Sequence, residues 1–118
     1  MSKVSVIIPA FNKYNFTRKT LISIINQTYK EIEIIVIDDG SNDDTYKLKY
    51  EFKNSIKYYY TENIGASAAR NLGIQKSTGD YLSFIDCDDI YESKKIETSI
   101  RVLKDNPSYA FVYTDVYL

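Results

Sequence analysis

The chain has 118 residues and a mass of 13.7 kDa, one domain's worth, and by surface scaling it can bury about two thirds of its surface without disulfide or metal staples. Hydrophobic residues make up 44% and charged residues 26%, which excludes disordered, collagen-like and membrane-embedded classes. The 15 basic and 16 acidic side chains leave a net charge of −1, with no positive excess to attract nucleic acid.

Short β-branched runs alternate with helical patterns along the chain, the signature of a parallel α/β sheet. Val4 to Ile8 reads as a first strand, stopped by Pro9. Leu21, Ile24, Ile25 and Thr28 fall at i, i+3, i+4 and i+7, predicting a helix with one buried stripe that begins near Asn15. Ile32 to Ile37 is almost continuously apolar, as expected of a strand covered on both faces. It runs into the polar turn Asp38 to Thr45 and then a charged helix of roughly ten residues. A third strand covers Ile56 to Tyr60. Gly65 to Ile74 reads as a helix whose small residues allow close approach to a sheet or ligand, ended by Ser77-Thr78-Gly79. Tyr81 to Ile85 is the next strand, with Asp86-Cys87-Asp88-Asp89 at its carboxyl end. Ile96, Ile100 and Leu103 mark an amphipathic helix, with Ser93 as its expected cap and Asn106-Pro107 as its end. Tyr109 to Tyr113 is the last strand.

The residue inventory narrows the chemistry. With no histidine, the chain cannot run a Ser-His or Cys-His nucleophile system or build a His-ligated zinc site. Its single cysteine, Cys87, forms no internal disulfide and fits a reducing compartment. No signal peptide is evident, and no apolar run approaches the roughly 20 residues that span a bilayer, so the expected setting is cytoplasmic.

In an open α/β sheet, ligands bind outside the carboxyl ends of the strands, where strand order reverses. Those ends supply Pro9 to Asn12, Asp38-Asp39, Thr61-Glu62-Asn63 and Asp86 to Asp89. Clustered carboxylates repel one another and call for a cation or hydrogen-bond donors, and an oxygen-seeking Mg²⁺ or Mn²⁺ meets that need. Asp38 to Thr45 alone reads as a solvated turn, whereas three carboxylates among the four residues Asp86 to Asp89 exceed what one helix cap uses. An EF-hand is excluded because Tyr91 and Asp44 stand where glycine is required. Neither a Gly-x-Gly-x-x-Gly nor a Walker sequence is present, which disfavours a dinucleotide enzyme and a P-loop NTPase. Phe11 offers an aromatic face for a base against the usual role of core packing. Arg70 can approach the same rim, against the usual role of a solvated surface residue. Cys87, turned away from its flanking aspartates by strand alternation, reads as a small filler.

Val4 to Asn12, Asn26-Gln27-Thr28-Tyr29 and Glu33 to Ser41, then Gly65 to Ile74 and Gly79 to Asp89, together resemble family 2 glycosyltransferases in order and spacing. The resemblance runs from Val4 to about Tyr113. It implies a Rossmann-like, mostly parallel sheet with helices on both faces, the nucleotide-binding half of a GT-A fold. It also implies transfer of a sugar from a nucleotide donor, UDP-sugar first, to a hydroxyl of a glycan or lipid-linked acceptor, with inversion and with Mg²⁺ or Mn²⁺. Carried over by position, Pro9 and Phe11 line the base pocket, Asp39 hydrogen-bonds the base, and Arg70 lies near the nucleotide. Asp86-Cys87-Asp88 matches the Asp-x-Asp element, Asp88 holding the metal and Asp86 lying toward the ribose and the metal's waters. Residues 1–118 are thus expected to form the donor-binding domain, stopping before the acceptor-binding half. No catalytic base is assigned, although Asp115 and Asp89 are the first carboxylates to consider.

Two other readings compete. A receiver-type phosphoacceptor module fits the length and alternation but needs an aspartate after the third strand, where Thr61-Glu62-Asn63 stands. A non-catalytic nucleotide-binding module shares every donor-site feature.

Overall fold

The computed structural model of the chain describes residues 2–106 and 108. Four parallel strands, β1 (Val4–Ala10), β2 (Ile32–Asp39), β3 (Lys57–Thr61) and β4 (Tyr81–Phe84), form one sheet in the order β3-β2-β1-β4. The chain steps outward from β1 to β2 to β3, then crosses back to place β4 on the other side of β1. Strand order therefore reverses between β1 and β4, where such sheets open a crevice.

Helices cover both faces. On one face α1 (Tyr14–Ile25), α2 (Leu48–Glu51) and α4 (Lys95–Asp105) bring Leu21, Ile24, Leu48, Ile96 and Ile100 onto Val4, Val6, Ile8, Ile34 and Val36. On the other, α3 (Ala66–Lys76) lays Ala69 and Leu72 against Ile35 and Ile37. The odd and even residues of β2 thus go to opposite layers, so its apolar run is unbroken. Small residues let α3 sit close: a Cβ added at Gly73 would lie 2.4 Å from Ile7 Cγ2.

The parallel sheet and two-faced cover match the sequence reading, and four details differ. First, β1 continues through Pro9 to Ala10. Val4 donates toward β2, to Glu31, whereas Ile7 accepts from Ile85 on the β4 side. Pro9 shares the parity of Ile7, so its missing N–H falls on the β4 side, where the pairing ends. Second, the charged segment after β2 is a 3₁₀ turn (Asp44–Lys47) running into the four-residue α2, shorter than expected.

Third, the buried stripe of α1 is Thr17, Thr20, Leu21 and Ile24, while Ile25 is exposed and Thr28 lies beyond the helix end. Hydropathy alone does not point to two threonines in a core. Fourth, Ser93 does not cap α4. The helix starts at Lys95 with no side-chain bond from its own cap residue. Instead the buried Gln27, just past α1, accepts from the Ile96 amide through Oε1 at 3.1 Å. A capping acceptor supplied from another helix has no local sequence signature. The expected strand Tyr109 to Tyr113, Pro107 and Asp115 lie outside the described residues.

Candidate functional site

A cleft of roughly 600 Å³ opens at the carboxyl ends of the strands, within the range of small-molecule sites. Pro9, Phe11, Asp39, Arg70, Asp86 and Asp88 all line it. Every site residue expected from the sequence is therefore in one place, delivered from β1, β2, α3 and the loop after β4.

Asp38 and Asp39 are neighbours with different tasks. Asp38 is buried, accepting from the Ser41 amide at 2.9 Å and from the Tyr58 hydroxyl. Burial, with the Asp38 carboxylate beside it, pushes the Tyr58 phenol well above its usual range. Asp39, one residue on, faces the cleft. Its Oδ1 accepts from Thr61 Oγ1 at 2.8 Å and from the Ile64 amide at 2.7 Å, and its Oδ2 from the Gly65 amide at 2.9 Å. Partial burial raises its pKa, but these donors and the Asn63 amide outweigh burial and hold it below the ordinary carboxylate range. Asp39 is consequently an anion that bridges the ends of β2 and β3 and the start of α3. Four donors thus hold the carboxylate in place at the wall of the cleft.

The loops beside Asp39 are locked to each other. Gly40 takes φ +88°, and a Cβ there would meet Asn63 Oδ1 at 2.7 Å, so only glycine fits the turn. Asn12 sits at φ 50°, donates its amide to Ser41 Oγ at 2.9 Å and accepts from the Asn42 amide at 2.8 Å. These bonds join the ends of β1 and β2 on either side of Phe11. Phe11 is 48% exposed over the cleft, so the usual core-packing role does not apply to it.

Arg70 reaches from the middle of α3 to Asp86, Nη2 to Oδ1 at 3.4 Å, and lines the cleft as it does so. Solvent screens this pair, whose side chains are 40% and 65% exposed, and it adds little to stability. Cys87 is half-buried against the α1 and α4 core and also lines the cleft between the exposed Asp86 and Asp88, so the alternation expected for this segment holds only in part. Burial pushes the Cys87 thiol up, away from thiolate chemistry.

Among the described residues, no three His, Cys, Asp or Glu side chains converge on one point. Mg²⁺ and Mn²⁺ are held by one or two carboxylates, with phosphate and water completing the shell, so the hard oxygen donors Asp86 and Asp88 fit such an ion. Lys13 escaped the sequence reading, which gives Asn63 a place at this rim but no role. Lys13, the residue before α1, brings an ammonium to the cleft, and Asn63 brings an amide. A lysine at a helix start and an asparagine in a turn carry no distinctive signal. Also among the described residues, no helix is long and apolar enough to cross a membrane.

Comparison with known proteins agrees with this geometry. The family model for glycosyl transferase family 2 matches residues 5–117. The glycosyltransferase GlyA of Streptococcus pneumoniae is 46% identical over 99 residues, covering 81% of this chain and 14% of GlyA. The Escherichia coli UDP-Glc:alpha-D-GlcNAc-diphosphoundecaprenol beta-1,3-glucosyltransferase WfaP is 37% identical over 122 residues, covering 100% of this chain and 47% of WfaP. The chain thus spans less than half the length of these relatives. Among solved structures, S. aureus TarS 1-349 in complex with UDP-GlcNAc superposes with a TM-score of 0.83 at 25% identity, covering 89% of this chain and 32% of TarS 1-349. The sheet order, the cleft and the family match agree: the chain belongs to glycosyl transferase family 2.

Proposed function

We propose that residues 1–118 form the nucleotide-sugar donor-binding domain of an inverting, metal-dependent glycosyltransferase that uses a UDP-sugar and a glycan or lipid-linked acceptor on the cytoplasmic side. One observation carries the reading: a single cleft gathers an exposed aromatic ring, a hydrogen-bonded aspartate, an arginine and two exposed aspartates. The similar proteins support it, since TarS was crystallised with UDP-GlcNAc and WfaP is named for UDP-Glc and a diphosphoundecaprenol-linked acceptor.

Phe11 stacks on the uracil ring. Asp39, at the wall of the cleft, accepts from uracil N3–H, a donor that cytosine lacks at that position. Because Thr61, Ile64 and Gly65 already fix the Asp39 carboxylate, binding the base costs little reorganisation. Arg70 directs positive charge toward the nucleotide, and Asp86 and Asp88 hold Mg²⁺ or Mn²⁺, Asp88 as the anchor and Asp86 toward the ribose. The bound ion supplies positive charge that offsets the charge of the diphosphate leaving group.

Calorimetric titration with UDP and CDP, each with and without Mn²⁺, tests the reading. Tighter UDP binding that strengthens further with Mn²⁺ is the expected result, and indifference to both base and metal overturns it. With Asp39, Asp86 and Asp88 committed to base and metal, the 118-residue chain is expected to bind donor without transferring sugar. Efficient transfer by it would make Asp89 or Asp115 the base.

A further inference from the structure

The polar side chains on one face of α1 lie outside the cleft, and Asn26-Gln27-Thr28-Tyr29, which the family resemblance singles out, has no role in the site described above. Thr20 and Ser23 are spaced i and i+3 on one side of α1, and Gln27 follows just past its end. Each bonds the segment that follows β4, in order. Thr20 Oγ1 lies 3.0 Å from the Cys87 carbonyl and within reach of the Asp89 carbonyl as well. Ser23 Oγ accepts from the Tyr91 amide at 3.1 Å. Gln27 Nε2 donates to the Glu92 carbonyl at 2.7 Å while its Oε1 caps α4 at Ile96.

We propose that Thr20 is a positioning residue for the metal and diphosphate site. Its hydroxyl grips the carbonyls on either side of Asp88 and so fixes the direction in which that carboxylate enters the cleft, with Ser23 and Gln27 anchoring the rest of the segment. Thr20 is fully buried, and a valine there keeps the side chain's size while removing its hydroxyl. What valine lacks is the proton shared by two loop carbonyls. Cys87 and Tyr91 pack against the core on either side, whereas Asp88, Asp89 and Ile90 are exposed, so the stretch between those two anchors is where the Thr20 hydroxyl acts. A one-carbon reach from a rigid helix leaves little slack there. The inference rests on reading the cleft as a metal-dependent nucleotide site.

The test compares Thr20→Val with the conservative Thr20→Ser, titrating UDP with and without Mn²⁺ and following amide hydrogen exchange of residues 86–92 in metal-free protein. Thr20→Val is expected to lose about tenfold in affinity with Mn²⁺, the equivalent of one buried hydrogen bond. Metal-free UDP affinity and the preference over CDP are expected to stay unchanged, loop exchange to quicken, and Thr20→Ser to restore both. A wild-type gain from Mn²⁺ that Thr20→Val retains overturns the proposal, as does an equal loss with and without the ion. If wild type itself gains nothing from Mn²⁺, the reading of the cleft fails instead, and hydrogen exchange alone then decides the positioning: unchanged exchange in Thr20→Val overturns it. Should Thr20→Val not fold, Ser23→Ala removes the acceptor for Tyr91 and carries the same comparison with the same overturning outcomes.

Discussion

At the amino ends of the strands, Glu33 is buried and crowded with donors; at the carboxyl ends, Asp86 and Asp88 are carboxylates left exposed. Glu33 accepts from Ser5 Oγ at 3.0 Å, from the Thr78 amide and hydroxyl at 3.0 and 2.7 Å, and from Lys57 Nζ at 2.8 Å, with Lys3 Nζ at 3.3 Å. These groups come from β1, β3 and the loop before β4 and from the residue preceding β1, so one side chain ties together the lower edge of the whole sheet. Burial raises the Glu33 pKa, but the Lys57, Thr78 and Ser5 bonds outweigh it and hold the carboxyl far below its usual range. The two ends teach how to read an acidic residue in such a sheet. A carboxylate whose acceptor positions are filled by the protein is structural, and one with open positions at a strand's carboxyl end is poised for a ligand.

The sharpest way to break this division is Glu33→Ala. It is expected to destabilise the fold by about 3 kcal/mol, the cost of removing one partner from a buried charged network, measured by urea unfolding. UDP affinity of the folded protein is expected to stay unchanged, and a large loss of affinity would join the two ends that are separated here. The same residue sets the acid limb of stability. Its pKa is depressed in the folded state, so its contribution is full above the unfolded carboxyl range and is lost as pH falls below about 4. Glu33→Gln is expected to flatten that limb in thermal melts taken between about pH 2 and pH 5.

Asp88→Asn is the converse case. Stability is expected to stay within about 0.5 kcal/mol of wild type, while about 2 kcal/mol of metal-dependent UDP affinity disappears, the scale of one contact to a charged group. Calorimetry that shows the Mn²⁺ gain intact in this variant would remove Asp88 from the metal site.

Asp39 stands between the two classes, held by protein donors as Glu33 is and lining the cleft as Asp88 does, so Asp39→Ala is expected to move both readouts modestly. About 1 kcal/mol of stability should go with the lost bonds to Thr61, Ile64 and Gly65, and the preference for UDP over CDP should narrow. A variant with undiminished preference would show that the base is read elsewhere in the cleft.

The sheet, its two-faced helical cover and six of the thirteen residues that line the cleft were legible in the sequence for physical reasons. Period-two and period-3.6 patterns report burial directly, and the strand ends of an α/β sheet have one functional rim. Hydropathy fails wherever polar side chains do buried work. Thr17 and Thr20 in the α1 stripe, Gln27 capping α4 and Glu33 under the sheet are all buried, and none is apolar. The cross-element partners of Thr20, Gln27 and Glu33 lie 24 to 69 residues away, as with Ile96 for Gln27 and Lys57 for Glu33, so no local window contains the reason for them.

Pro9 shapes the crevice between β1 and β4 by what it withholds. The ladder between these strands reaches the bond from the Ile85 amide to the Ile7 carbonyl, and the next step in register would be an amide at residue 9 donating to the carbonyl of Ile85. An imino acid has no hydrogen to offer there, so the seam stays unzipped from that point upward. The chain beyond Ile85 leaves the sheet plane and carries Asp86 and Asp88 out over the gap. A backbone position with no hydrogen to give thus stands where paired strands end and the cleft begins, and Pro9 lines the cleft there.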